Sequence, residues 1–246
     1  MNDILIFRRV EKKYRITPAQ KEALLREVLG HLTPDAHGRS TICSLYLDTP
    51  EHLLIRNSID ARVYKEKLRL RSYGTPAPDE HVFLEIKKKY KGVVYKRRVI
   101  LTLPEAMAYI AGGGKPLESQ IMSEIDYAMH FYRQPQPAML IAYEREAYFD
   151  RELPSLRLTF DTNVRYRETD LHLDHGHHGT LLLPDNVILM EIKTDGAMPL
   201  WLARALSDCG IRPSSFSKYG TAYQITAGLL PPLRESPAEF AASPAL

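Results

Sequence analysis

The chain is poor in cysteine, in long apolar runs and in charge of one sign. Its 246 residues hold two cysteines, Cys43 and Cys209, both among apolar neighbours and without pairing or metal-ligand spacing. That excludes a disulfide framework and a cysteine-ligated metal, and both read as core thiols in a reducing compartment. No stretch reaches the roughly 18 apolar residues a membrane helix needs, and the opening MNDILIFRRVEKKY lacks the apolar centre of a secretory signal. A cytoplasmic protein without direct membrane insertion is the expectation. Thirty-three Lys and Arg against 30 Asp and Glu leave a formal +3, too little for nucleic-acid binding through overall charge. AGGGKPL lacks the G-x-x-x-x-G-K-[ST] spacing and follows no strand, so it reads as a connection between helices.

What is there belongs to a globular protein: 44% of residues are hydrophobic and 26% charged. One domain is expected over residues 1–230. The segment from 231 to 246, rich in Pro, Ala and Ser, reads as a flexible tail.

Periodicity gives mostly strands. ILIFRRVEKKYRI alternates and runs into the helix TPAQKEALLREVLGHL, with Thr17 as N-cap and Pro18 at the first helical position. STICSLYLDT and VYKEKLRLRSYG are strands, HVFLEIKKKY and GVVYKRRVILTL a hairpin across Lys91 and Gly92, and AMLIAYEREAYFD and SLRLTFDTNVRYRE a further pair. PEAMAYIAGGG and ESQIMSEIDYAMHFYR read as helices, and NVILMEIKTDG as a strand before the helix PLWLARALSDCG. Antiparallel strands with inserted helices make an α+β fold.

The polar face of these strands is basic. Successive side chains of a strand point to opposite faces. Lys67, Arg69 and Arg71 therefore share a face opposite Leu68 and Leu70. Arg9, Glu11 and Lys13 do the same in the first strand, as do Glu85 with Lys87, Lys96 with Arg98, and Glu191 with Lys193; Arg145 and Arg157 stand on two more strands. One such strand alone is a solvated outer face. Repeated, the pattern needs an anion, because like charges about 4 Å apart repel by roughly 4 kcal/mol at an intermediate dielectric. A closed sheet would turn the cations into a hydrated passage for a long anion and leave the apolar face outside, to be covered by helices.

The stretches RVEKKY, LYLDT, KLRLRSYG, FLEIKKK, YEREAYFD, LRLTFDT, VILMEIK, PLWL and FSKYGTAY, in that order, resemble the vacuolar transporter chaperone (VTC) domain, the polyphosphate polymerase branch of the triphosphate tunnel metalloenzymes. The resemblance runs from about residue 5 to 225. It implies an antiparallel β tunnel barrel with helices outside, ATP and polyphosphate as ligands, and Mn²⁺ or Mg²⁺ as cofactor. It also implies transfer of the γ-phosphoryl group of ATP to a growing polyphosphate. Carried over, Lys13, Arg69, Arg71, Lys87, Lys96, Arg145, Arg157 and Lys218 contact phosphate and Glu191 holds the metal. Arg9, Glu11, Lys67, Glu85, Arg98, Lys193 and Tyr219 complete the candidate substrate contacts, with packing as the alternative for Tyr219.

Two departures qualify the likeness. The tunnel triphosphatase pattern Glu-x-Glu-x-Lys is here Arg9-x-Glu11-x-Lys13, which favours the polymerase over a hydrolase. A family lysine before FSK is Ser215. Tunnel hydrolysis of triphosphate and a binding module without turnover remain the other readings, and a separate membrane partner and the oligomeric state stay open. Single-stranded nucleic acid is disfavoured because Tyr14, Tyr46, Phe83 and Phe149 do not interleave with the cations. The four histidines of HLDHGHHG lack the spacing of a defined metal site and read as a solvated loop.

Overall fold

The computed structural model describes residues 10–61, 63–91 and 93–233. It contains strands β1 (Val10–Ile16), β2 (Leu32–Asp48), β3 (Tyr64–Tyr73), β4 (His81–Tyr90), β5 (Val93–Thr102), β6 (Gln136–Asp150), β7 (Arg157–Arg167), β8 (Thr180–Leu181) and β9 (Ile188–Thr194). The helices are α1 (Pro18–Val28), α2 (Leu53–Asp60), α3 (Leu103–Ile110), α4 (Gln120–Phe131), α5 (Leu200–Asp208) and α6 (Lys218–Thr226). All pairings are antiparallel, in the order β1-β9-β7-β6-β2-β3-β4-β5, with β8 beside β7. The expected strands, the first of them from residue 10 on with residues 4–9 outside the described residues, and the α+β class are present.

This sheet is strongly curled. β1 and β4 stand six strand steps apart in the order, about 29 Å in a flat sheet at ~4.8 Å per step. Yet Lys87 Nζ on β4 lies 3.3 Å from Glu11 Oε2 on β1. Among the described residues no backbone ladder joins β1 to β5, so side chains bring the two ends of the sheet together. The free edge of β1 is taken by the segment before α6: Tyr14 bridges Pro213, and Ser214 N donates to Lys13 O at 2.7 Å.

Curling sorts the two faces. The convex face is apolar. Leu45, Leu68, Leu70, Leu84 and Ile86 pack under α3 and α4 through Ala106, Met122, Ile125 and Met129. Tyr14, Leu158, Phe160, Met190 and Ile192 pack under α1 and α5 through Leu24, Val28, Leu202 and Leu206. Each such side chain contributes about 1.5–3 kcal/mol by burial. α2 and α6 lie over the concave face, where Ile55, Tyr219 and Ala222 meet Tyr46, Ile141 and Leu189.

Local signals explain the helix ends. The Thr17 hydroxyl accepts from Gln20 N and the Gln20 side chain accepts from Thr17 N, both at 3.1 Å, a capping box behind Pro18. Helix α2 has no counterpart in the sequence reading. Its first N–H groups are held by Asp48, at the end of β2: Leu54 N donates to Oδ1 at 2.8 Å and Ile55 N to Oδ2 at 3.0 Å. Trp201 stacks on His31, ring centroids 4.2 Å apart, and Cys209 is half-buried rather than part of the core. Among the described residues no helix is long and apolar enough to cross a membrane. The expected tail from 231 lies, from residue 234 on, outside the described residues.

Candidate functional site

The concave face is built from every second residue of the curled strands. On β3 and β4 the register sets Arg69 opposite Glu85 and Lys67 opposite Lys87; on β4 and β5 it sets Lys87 opposite Lys96. Glu85 is fully buried and holds two cations, Arg69 Nη2 at 2.7 Å and Lys96 Nζ at 2.5 Å. Burial alone would raise its carboxyl, but Arg69, Arg71 and Lys96 outweigh burial and hold it down to about 2. Arg71 donates to Ser44 Oγ at 3.1 Å and to Tyr143 Oη at 3.3 Å.

Desolvation acts the other way on the lysines. It lowers Lys67 to about 8, with the Lys13, Lys87 and Arg69 charges adding to it and Tyr46 opposing. It lowers Lys96 to about 8 against the pull of Glu85. Lys87 and Lys96 each keep about a third of the side chain exposed, 33% and 36%, so the space between the strands is wet. Burial would raise the Tyr46 phenol, yet Arg69, Lys67 and Arg71 bring it down to about 7.

The opposite wall is organised by Asp161 on β7. Arg145 donates to both its oxygens, Nε to Oδ1 at 2.6 Å and Nη2 to Oδ2 at 2.8 Å, and Lys218 Nζ lies 2.5 Å from Oδ2. Burial would raise this carboxyl; Lys218 and Arg145 depress it. Lys218 opens α6, whose N-cap Ser217 accepts from Gly220 N at 3.1 Å and from Lys67 Nζ at 2.9 Å. Lys13 Nζ donates to Phe216 O at 2.9 Å. Residues 216 to 218 thus clasp β1, β3 and β7 across the concave face.

Glu11 and Glu191 stand side by side, because antiparallel pairing puts Lys13 opposite Glu191 and Glu11 opposite Lys193. Glu191 contacts Lys193 at 2.9 Å and Lys13 at 3.9 Å. Burial would raise its carboxyl, but Lys193, the adjacent Glu11 and Lys13 keep it well below the ordinary range. Lys13 Nζ stands between the two carboxylates, 4.0 Å from Glu11 and 3.9 Å from Glu191, and beside a cavity lined by Lys13, Asp161, Glu191 and Lys218 they form a hard oxygen donor pair. The pair fits Mg²⁺ or Mn²⁺, with phosphate oxygens and water able to complete the shell.

Lys13, Lys67, Arg69, Arg71, Lys87, Lys96, Arg145, Lys193 and Lys218 therefore meet on one face with Glu11, Glu85, Asp161 and Glu191. The balance is strongly positive. Two expected residues sit at the rim: Arg157 pairs with Asp35 at 3.2 Å and covers the Phe149 ring, and Arg98 covers the Phe83 ring at 4.7 Å. Tyr219 is in the core, stacked on Tyr46 with its hydroxyl donating to Asp48 Oδ2 at 2.8 Å. Arg9 lies outside the described residues, and Ser215 is exposed. The expectation that Tyr46, Phe83 and Phe149 stand apart from the cations is corrected: Arg69, Arg98 and Arg157 lie over their rings, brought there by strand pairing and not by neighbourhood in the chain. Asp161 and Tyr143 went unnoticed in the sequence. The alternation Arg157, Thr159, Asp161 opposite Leu158 and Phe160 carried the signal for the first of them.

A family model described as VTC domain matches residues 8–227. Among curated proteins none matches the chain. Among solved structures, a candidate adenylate cyclase from Bacillus halodurans is 12% identical, with 85% of this chain and 92% of that chain covered and a TM-score of 0.53. A candidate adenylyl cyclase from Hippeastrum, described as having a dominant triphosphatase activity, is 16% identical, with 91% and 98% covered and a TM-score of 0.49. At these identities the likeness is one of fold.

Proposed function

Because the chain belongs to the VTC domain family and folds as a triphosphate tunnel protein, we propose that it is an ATP-dependent polyphosphate polymerase. The terminal phosphate oxygen of a polyphosphate chain attacks the γ-phosphorus of ATP. The bond from that phosphorus to the β–γ bridging oxygen breaks, and ADP leaves with the electron pair. Phosphoryl transfer of this kind asks mainly for alignment and for neutralisation of charge on the equatorial oxygens.

The carrying observation is the state of the interior carboxylates. Glu85 and Asp161 are each saturated by two cations, and both, like Glu191, are held below their ordinary range. These three and Glu11, which Lys87 meets at 3.3 Å, are all engaged by cations, so none is free to serve as the base that orients an attacking water. A terminal phosphate needs no such base, since it is already an anionic nucleophile. Arg69 and Arg145 offer planar forks to phosphate oxygens, while Lys87, Lys96 and Lys218 act as point charges. Glu191 with Glu11 would hold a divalent ion, which when bound supplies further neutralisation of the transferring group.

The test is ATP with Mn²⁺ or Mg²⁺ followed by phosphorus NMR, for wild type and Glu191→Ala. Internal polyphosphate resonances with matching ADP, reduced at least a hundredfold in the variant, are expected. Inorganic phosphate as the sole product means a hydrolase, and tight polyphosphate binding without turnover means a binding module.

A further inference from the structure

The loop between β7 and β8 carries a cluster that the tunnel chemistry does not use. Spacing alone offers no metal site in HLDHGHHG, but the fold supplies what spacing does not. Arg167, the last residue of β7 and 7% exposed, donates to four loop carbonyls: Asp170 and His172 at 2.8 Å, His178 at 2.9 Å and Gly176 at 3.0 Å. Leu173 is fully buried in the cluster under α3 and α4. Gly179 closes the loop at φ 148°, where an added Cβ would meet Tyr166 O at 2.5 Å. The loop backbone is therefore fixed from beneath.

On its outer side, ligand atoms of His172, Asp174 and His175 all lie within 4.8 Å of one another. The two imidazoles stack, centroids 4.7 Å apart. Behind them Asp170 places Oδ1 2.5 Å from His175 Nδ1 and Oδ2 3.3 Å from His178 Nε2. A carboxylate on Nδ1 makes that nitrogen the donor and leaves the Nε2 lone pair free. This is the outer-shell arrangement that orients and strengthens metal-binding histidines.

We propose that His172, His175 and Asp174 form a binding site for a borderline divalent transition ion, Zn²⁺ above all, separate from the Glu191 pair and of different ligand chemistry. Two imidazoles and one carboxylate leave a fourth, open position for water in a tetrahedral shell. Ligand separations in such a shell are about 3.3 Å for bonds of ~2.0–2.1 Å. The three side chains close by an ångström or so through rotamer changes, while the Arg167 hub keeps the backbone in place. Two nitrogen donors select against Mg²⁺ and Ca²⁺, which prefer oxygen.

The experiment is titration of tag-free protein with Zn²⁺ by calorimetry, and with Co²⁺ by visible absorption, in the presence of millimolar Mg²⁺. One equivalent is expected to bind at micromolar or tighter dissociation constant, with a tetrahedral Co²⁺ spectrum, and to persist in Glu191→Ala. His172→Ala, His175→Ala and Asp174→Asn are each expected to weaken binding at least tenfold. Asp170→Asn, which keeps the ligands and removes the orienting charge, is expected to weaken it about 10- to 100-fold. Circular dichroism that matches wild type shows that the variants remain folded. No binding, binding indifferent to both histidine substitutions, or displacement by Mg²⁺ would overturn the assignment.

Discussion

Every cation named on the concave face has a protein acceptor: a carboxylate for Arg69, Lys87, Lys96, Arg145, Lys193 and Lys218, a Ser or Tyr hydroxyl for Lys67 and Arg71, and the Phe216 carbonyl for Lys13. Their titration gives a sharp expectation. Lys67 and Lys96 stand at about 8 when folded against 10.5 ordinarily. Between pH 8 and 10.5 the folded protein thus binds fewer protons than the unfolded one, so the contribution of these two groups to stability rises with pH across that window. A bound polyanion reverses the shift by restoring their charge. Tripolyphosphate binding at pH 8.5 is therefore expected to take up protons and to weaken as pH rises further. Calorimetry in two buffers of different ionisation enthalpy measures the uptake, and Lys67→Met should reduce it. The basic residues themselves were legible as an alternation in the sequence. Of their partners Glu11, Glu85 and Glu191 were legible in the same way, but Asp161 and Tyr46 were not, because they acquire meaning only when β6, β7, β2 and β3 are set side by side.

Strands other than the two-residue β8 and residues 32 to 39 of β2 were legible as elements because a side-chain period of two survives in them, as in β3 and β4, where leucines stand opposite lysines and arginines. Helix α2 was not. Its eight residues bury only Leu54, Ile55 and Ser58, too short a stripe to declare itself. Its start depends on Asp48, which the sequence shows merely as the end of LYLDT. Asp48 also accepts the Tyr219 hydroxyl, tying α2 and α6 to β2. Burial, with Asp48 beside it, pushes that phenol well above its ordinary range, so it remains a donor. Asp48→Ala removes a helix cap worth about 0.5–2 kcal/mol and strands a buried hydroxyl at about 1–3 kcal/mol. A loss of roughly 2–4 kcal/mol is expected in urea denaturation, with Tyr219→Phe in the same background restoring part of it. Since α6 begins with Lys218, the same variant is expected to lose tripolyphosphate affinity.

At the scale of the molecule, +3 overall conceals an interior far more positive than the exterior. The strand order that encloses this charge could not be read from the chain, because the approach of β1 to β4 rests on single ion pairs between residues 76 positions apart. Enclosure sets selectivity. Tripolyphosphate is expected to raise the melting temperature by several degrees, and a single-stranded RNA of equal charge, bulkier than a bare polyphosphate, to leave it unchanged. Differential scanning fluorimetry with both polyanions at matched ionic strength checks this.

Under the proposed function, the shared carboxylates bear on how a polymer would move through the site. Glu85 and Asp161 each bridge two cations, so an incoming phosphate would trade places with a resident anion rather than fill a vacancy. Each forward displacement would release a carboxylate behind it to re-capture the cation just left. Such ion exchange would flatten the energy profile and let a polymer held by many strong contacts slide with little friction.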